Sequence, residues 1–191
     1  MDINYTFPIL VLVRGLPGSG KSYLVNKFVE KLNTDTIVLD PDATNYESHE
    51  YRQMCQELSS ENVDPKFFPY RFLRRQAHEG IKNNKLIIWN QAFTQLDGFQ
   101  KTIINLSNFA SENNKKIKIL IIEVFVDPEV AKLRIKNRVE SGGHDVPEER
   151  FNKFVDDYKT FANEGYPVLS IDGQANIDES VKSVIDFINS A

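Results

Sequence analysis

Residues Gly15-Leu16-Pro17-Gly18-Ser19-Gly20-Lys21-Ser22 read G-x-x-x-x-G-K-S, a spacing suited to holding phosphate. Such a loop turns backbone N–H groups inward, its lysine reaches the β- and γ-phosphates of a nucleoside triphosphate, and its serine hydroxyl ligates Mg²⁺. The apolar run Ile9-Leu10-Val11-Leu12-Val13 predicts a buried strand before the loop, and Ser22 opens a helix whose first N–H groups attract an anion. On this reading Gly15, Leu16, Pro17, Gly18, Ser19, Gly20, Lys21, Ser22 and the adjoining Tyr23 form the set that binds ATP. Lys21 is also a catalytic candidate, and Ser22 a metal ligand.

Two further groups of residues carry possible chemistry. Asp40 and Asp42 follow the apolar Thr36-Ile37-Val38-Leu39, where a strand end would face the phosphate loop. A hydroxyl attacking a γ-phosphate needs an acceptor for its proton. Asp42 is the candidate base and Asp40 the neighbour associated with Mg²⁺; the plainer reading is a proline turn with two solvated acids. Arg134 and Arg138, four apart with Lys136 between them, share one helix face. Ahead of Gly142-Gly143 they read either as a hinged lid that closes on the triphosphate or as a solvated basic face. His144 reads as a turn residue, His49 and His78 are isolated, and no His/Cys cluster has metal-ligand spacing. No G-x-S-x-G elbow supports a hydrolytic triad.

The elements that must position these residues alternate along the whole chain. Strands are predicted at Ile9–Val13, Thr36–Leu39, Leu86–Trp89, Ile117–Val126 and Pro167–Ile171. Helices are predicted at Lys21–Leu32, Gln95–Asn113, Glu129–Val139, Pro147–Phe161 and Asp178–Ile188. A polar helical stretch over 47–84, broken at Pro65 and Pro69, is the substrate-facing insertion, and 129–150 the lid. The alternation predicts an α/β fold: a three-layer P-loop architecture with a mainly parallel five-stranded sheet, helices on both faces and a helical lid.

The chain of 191 residues is 41% hydrophobic and 26% charged, with a net charge of −4. That size suits one domain, spanning 1–191. The apolar runs are strand-length, so no membrane partner is expected. The opening Met1-Asp2-Ile3-Asn4-Tyr5-Thr6 lacks the basic n-region of a secretory signal, and the single Cys55 forms no internal disulfide. Both features point to a reducing, cytoplasmic setting. The negative charge argues against broad nucleic-acid binding, leaving room for a local basic groove.

These residues resemble the zeta-toxin and polynucleotide-kinase branch of P-loop kinases. The likeness rests on Arg14 to Ser22, Asp40-Pro41-Asp42-Ala43, Leu86 to Ala92, and Arg134 to Pro147. Its most telling part is Gly142-Gly143-His144 before a helix, which is most similar to zeta-toxin-like kinases. The resemblance implies ATP and Mg²⁺, Asp42 as base, and Arg134 and Arg138 on the phosphates. Relatives often carry an acid in the third-strand segment, where this chain has Trp89-Asn90. Polynucleotide kinases tend to place an arginine after the base, and Ala43-Thr44-Asn45-Tyr46 has none. Arg71, Arg74 and Arg75 are either substrate cations or a solvated helix face.

The expectation is therefore a kinase that moves the γ-phosphoryl group of ATP to a hydroxyl of a small molecule or nucleotide sugar. A polynucleotide 5′-hydroxyl is the second acceptor. A non-catalytic ATP-binding regulator and a mechanical ATPase are rivals from other classes. An antitoxin would be the expected partner of a toxin.

Overall fold

The computed structural model describes residues 3, 6–162 and 164–190. The reading of the opening residues as lacking a secretory signal concerns Met1, Asp2, Asn4 and Tyr5, which lie outside the described residues. Five strands run β1 (Ile9–Arg14), β2 (Thr36–Leu39), β3 (Leu86–Asn90), β4 (Lys118–Phe125) and β5 (Val168–Asp172). They form one sheet in the order β2-β3-β1-β4-β5, and every pairing is parallel. Among the described residues no helix is long and apolar enough to cross a membrane.

Side-chain parity divides the core. Ile9, Val11 and Val13 of β1, with Leu86 and Ile88 of β3, pack on one face against helices α1 (Lys21–Glu30) and α7 (Ile177–Ser190). Leu10 and Leu12, with Ile87 and Trp89, pack on the other against α3 (Phe68–Lys82) and α4 (Leu96–Glu112). Burial on both faces explains why these strands read as continuous apolar runs rather than alternating ones. The remaining helices are α2 (His49–Ser60), α5 (Pro128–Glu140) and α6 (Glu148–Asp157).

Local chemistry sets the helix ends. Ser48 caps α2 by accepting the Tyr51 N–H at 3.2 Å, and Asp127 caps α5 by accepting the Glu129 N–H at 2.8 Å. Two predicted boundaries move. Pro69 does not break a helix but sits in the first turn of α3, where its missing N–H has no partner to lose. The helix predicted over Pro147–Phe161 stops at Asp157, because Tyr158 turns extended and the next residues are drawn to a buried carboxylate. At the far end of α5, Gly142 takes φ +84°; its N–H bonds to Val139 and that of Gly143 to Arg138, each at 2.9 Å. This is a Schellman helix stop.

Candidate active site

The phosphate loop leaves β1 under tight steric control. A Cβ at Gly15 would lie 2.2 Å from the Val124 carbonyl oxygen, and one at Gly18 would lie 2.5 Å from that of Ala131. Only glycine fits either place, and the positive φ values there, +151° and +80°, agree. No side chain caps α1, and its first turn holds no acid. Its N–H groups and the positive end of its dipole thus remain available to an anion. Leu16 is anchored against Ala131 and Ile135 of α5 and Phe151 of α6. Tyr23 stands exposed at the edge of α1.

Lys21 folds over its own loop, its Nζ donating to the Leu16 carbonyl at 2.9 Å. Burial brings its pKa from 10.5 down to about 8, against the opposing pull of Asp40 and Asp42 and with the push of Arg138. Both acids and Arg138 are therefore within electrostatic reach of the lysine. Asp40 accepts the backbone N–H of Asp42 at 2.8 Å, fixing the turn after β2. The Asp42 carboxylate is exposed and has no hydrogen-bond partner among the described residues.

Asn90 is the residue that sequence reading undervalued. It is 3% exposed, and its Nδ2 donates both to Ser22 Oγ at 2.9 Å and to Asp40 Oδ2 at 2.6 Å. Trp89 points the other way into the core, its indole N–H bonded to Gln91. The third-strand position that reaches the site is therefore Asn90, on the same parity as Leu86 and Ile88. The Asp40 carboxylate and Ser22 hydroxyl, bridged by one amide, make a hard oxygen pair of the kind Mg²⁺ accepts while keeping several waters. The Oδ1 of Asn90 is buried beside them without a hydrogen-bond partner among the described residues.

The two arginines of α5 are used differently. Arg134 donates to the carbonyls of Gly18 (3.4 Å), Ser19 (3.3 Å) and Gly173 (2.9 Å), bracing the loop against the turn after β5. Arg138 is exposed and carries no partner among the described residues. His144 is exposed. Next to Arg134, a groove of about 480 Å³ runs between Tyr23 and Leu24 of α1 and the segment Asp172-Gly173-Gln174-Ala175. Nothing in the spelling of that segment marks it beyond a glycine after a strand.

Beneath the loop lies a second arrangement that motif spacing did not reveal. Arg14, fully buried, pairs with Glu123 of β4 at 2.7 Å. It also donates to the carbonyls of Lys159 and Phe93, each at 2.8 Å. Glu123 in turn accepts the Thr160 hydroxyl at 2.7 Å and the Phe161 N–H at 2.6 Å. The Tyr158 ring lies 4.5 Å from the guanidinium; burial pushes its phenol up to about 12, and its hydroxyl has no hydrogen-bond partner among the described residues.

The family described as AAA domain matches residues 10–161. Comparison with curated proteins gives no match. Among solved structures, a gluconokinase from Sinorhizobium meliloti 1021 is 15% identical with a TM-score of 0.59, covering 97% of this chain and 94% of that one. A deoxyadenosine kinase from M. mycoides with bound dATP is 17% identical with a TM-score of 0.56, covering 94% and 98%. A chain of the Pnkp1/Rnl/Hen1 RNA repair complex is 19% identical with a TM-score of 0.56, covering 81% of this chain and 45% of that one. At these identities the likeness is one of fold, a kinase-like P-loop α/β fold, and none of the three represents the zeta-toxin branch.

Proposed function

The chain belongs to the AAA domain family, and from that premise we propose that it is a phosphotransferase acting from ATP on a hydroxyl of a small molecule or nucleotide sugar. The observation that supports this most is the free Asp42 carboxylate lying within electrostatic reach of Lys21, across an uncapped phosphate loop. The α1 amides and Lys21 bind the triphosphate. Arg138 approaches from α5 to offset its charge, while Arg134 keeps the loop in shape. The groove beside Tyr23 takes the base. Mg²⁺, held by Ser22 and Asp40, would spread the charge of the β- and γ-oxygens.

In the transfer, the acceptor oxygen attacks the γ-phosphorus in line. A new P–O bond forms as the bond to the β–γ bridging oxygen breaks, ADP leaves with that oxygen, and Asp42 takes the hydroxyl proton. The test is transfer of labelled γ-phosphate to nucleotide sugars, sugars, nucleosides and 5′-hydroxyl oligonucleotides. Asp42→Asn should keep ATP affinity within about twofold and lower transfer by at least about 10²-fold, the usual share of a general base. Lys21→Ala should lose both. ATP binding without transfer to any acceptor would sink the kinase reading and favour a nucleotide-dependent regulator.

A further inference from the structure

Helix α3 is joined to β3 by a short turn and runs antiparallel to it, so its first half lies at the sheet edge that carries Asp40, Asp42 and the phosphate loop. On that half sit Arg71 and Arg74, three apart and on one face. The other arginines in this chain, apart from Arg138, are all engaged. Arg14 and Arg75 pair with carboxylates, Arg52 and Arg134 bond to carbonyls, and Arg150 lies over Phe154. Among the described residues Arg71 and Arg74 have neither a hydrogen-bond nor an ion-pair partner. Arg74 is partly buried and close enough to Arg71 to feel its repulsion. A cation withdrawn from water beside a like charge, with no anion to offset it, is destabilising. Neighbouring Arg75, one residue on, has Glu57 at 2.7 Å, so the helix does not lack for acids in general.

What surrounds the pair is equally specific. Tyr70 precedes Arg71 and lies one turn before Arg74, and it is in electrostatic contact with Tyr46, which also faces Asp42 and Asp40. The Tyr46 hydroxyl is tied to the Pro41 carbonyl at 2.9 Å, and its ring rests edge-on against Tyr51. Tyr46 thus reaches both the candidate base and Tyr70, which on α3 precedes Arg71 and lies one turn before Arg74, and Asp42 and the two arginines share one edge of the sheet. We infer that the acceptor is a small molecule bearing an anionic group, a phosphate or a carboxylate, which Arg71 and Arg74 hold so that its hydroxyl reaches Asp42. This rests on the kinase reading above and narrows its acceptor class.

The test has an arm that does not depend on turnover. The protein saturated with ADP and Mg²⁺ is titrated with inorganic phosphate and, separately, with malonate, and thermal unfolding is followed. One or both anions should raise the Tm of wild type and of Asp42→Asn, with the stronger naming the group. The response of R71Q/R74Q should be weakened by at least about tenfold in apparent affinity, and R71K/R74K should recover part of it. No response in wild type, or an equal response in R71Q/R74Q, overturns the inference. In the transfer assay, matched acceptors with and without the anion should differ by at least about tenfold in kcat/KM. R71Q/R74Q should erase the difference through KM, leaving the neutral member unchanged. A preference that survives the double substitution, or labelling of oligonucleotides alone, also overturns it. Anion binding that depends on the arginines in a protein transferring no phosphate would instead defeat the kinase reading and leave the subsite standing.

Discussion

Replacing Lys21 with methionine should stabilise the nucleotide-free protein while abolishing its phosphate binding. Burial holds the ammonium near a pKa of about 8, against 10.5 for the free group, so near neutral pH the folded state carries a charge it holds at a cost. At about 1.36 kcal/mol per pKa unit, the difference corresponds to roughly 3.5 kcal/mol. The hydrogen bond to Leu16 disappears with the side chain, returning about 1.5 kcal/mol. The balance is about 2 kcal/mol, or a Tm higher by about 4–8 °C for a chain of this length. The pH dependence has a definite sign. Between about pH 8 and 10.5 the unfolded chain binds the lysine proton and the folded chain does not, so wild-type stability climbs with pH and the gap to Lys21→Met closes. Below about pH 8 both states are protonated and the gap is constant. Thermal unfolding of both proteins near pH 7 and near pH 10, with and without ATP and Mg²⁺, measures each part. A variant that melts below wild type near neutral pH without nucleotide, or a gap unchanged in alkali, would refute the reasoning.

Other perturbations probe the rest of the site. Asn90→Asp replaces the amide between Ser22 and Asp40 with a third oxygen donor; it should lower the Mg²⁺ concentration giving half-maximal ATP binding by about tenfold. The same change should destabilise the metal-free protein, because two carboxylates then face each other without a donor; Mg²⁺ titrations followed by unfolding report both effects. Glu123→Ala leaves Arg14 charged and buried, so a loss of about 3–5 kcal/mol and a Tm fall of about 10 °C or more are expected in a melting experiment. Tyr158→Phe removes a buried hydroxyl that has no hydrogen-bond partner among the described residues; denaturant unfolding should find it neutral or stabilised by about 1 kcal/mol.

The sheet and most helices were legible because their signals are local. Fully buried parallel strands read as apolar runs, and Gly-Lys-Ser between strand and helix has one common use. What escaped depended on which way a side chain points or on distant partners. Trp89 and Asn90 are adjacent letters, yet parity sends one into the core and the other to Ser22, and the sequence boundary at Trp89 cut the strand one residue short of the informative side chain. Glu123 is a lone acid inside the apolar run Ile117–Val126, and its partner Arg14 lies 109 positions away, so local spacing does not reveal the pair. The end of α6 was misplaced because Thr160 and Phe161 are held by that same carboxylate, a tertiary bond that helix propensity does not encode. The hydrogen bonds of Gly142-Gly143 make it a helix stop, a role that composition alone does not reveal. The groove segment Asp172–Ala175 contacts its neighbours chiefly through backbone, which leaves little trace in residue type.

The Arg14–Glu123 pair also governs when the nucleotide site can exist during biosynthesis. Arg14 contacts Glu123 across 109 positions and Lys159 across 145, although the loop it introduces is complete by Ser22. A ribosome that has made the first half of the chain has already supplied every residue of the phosphate loop, but with a bare guanidinium where the salt link belongs. Closing so long a span waits on the last third of synthesis and is slow for the same entropic reason that all non-local pairings are. Nucleotide capture by nascent chains of increasing length should therefore switch on only once residues beyond Phe161 have emerged, making ligand binding a late report of folding.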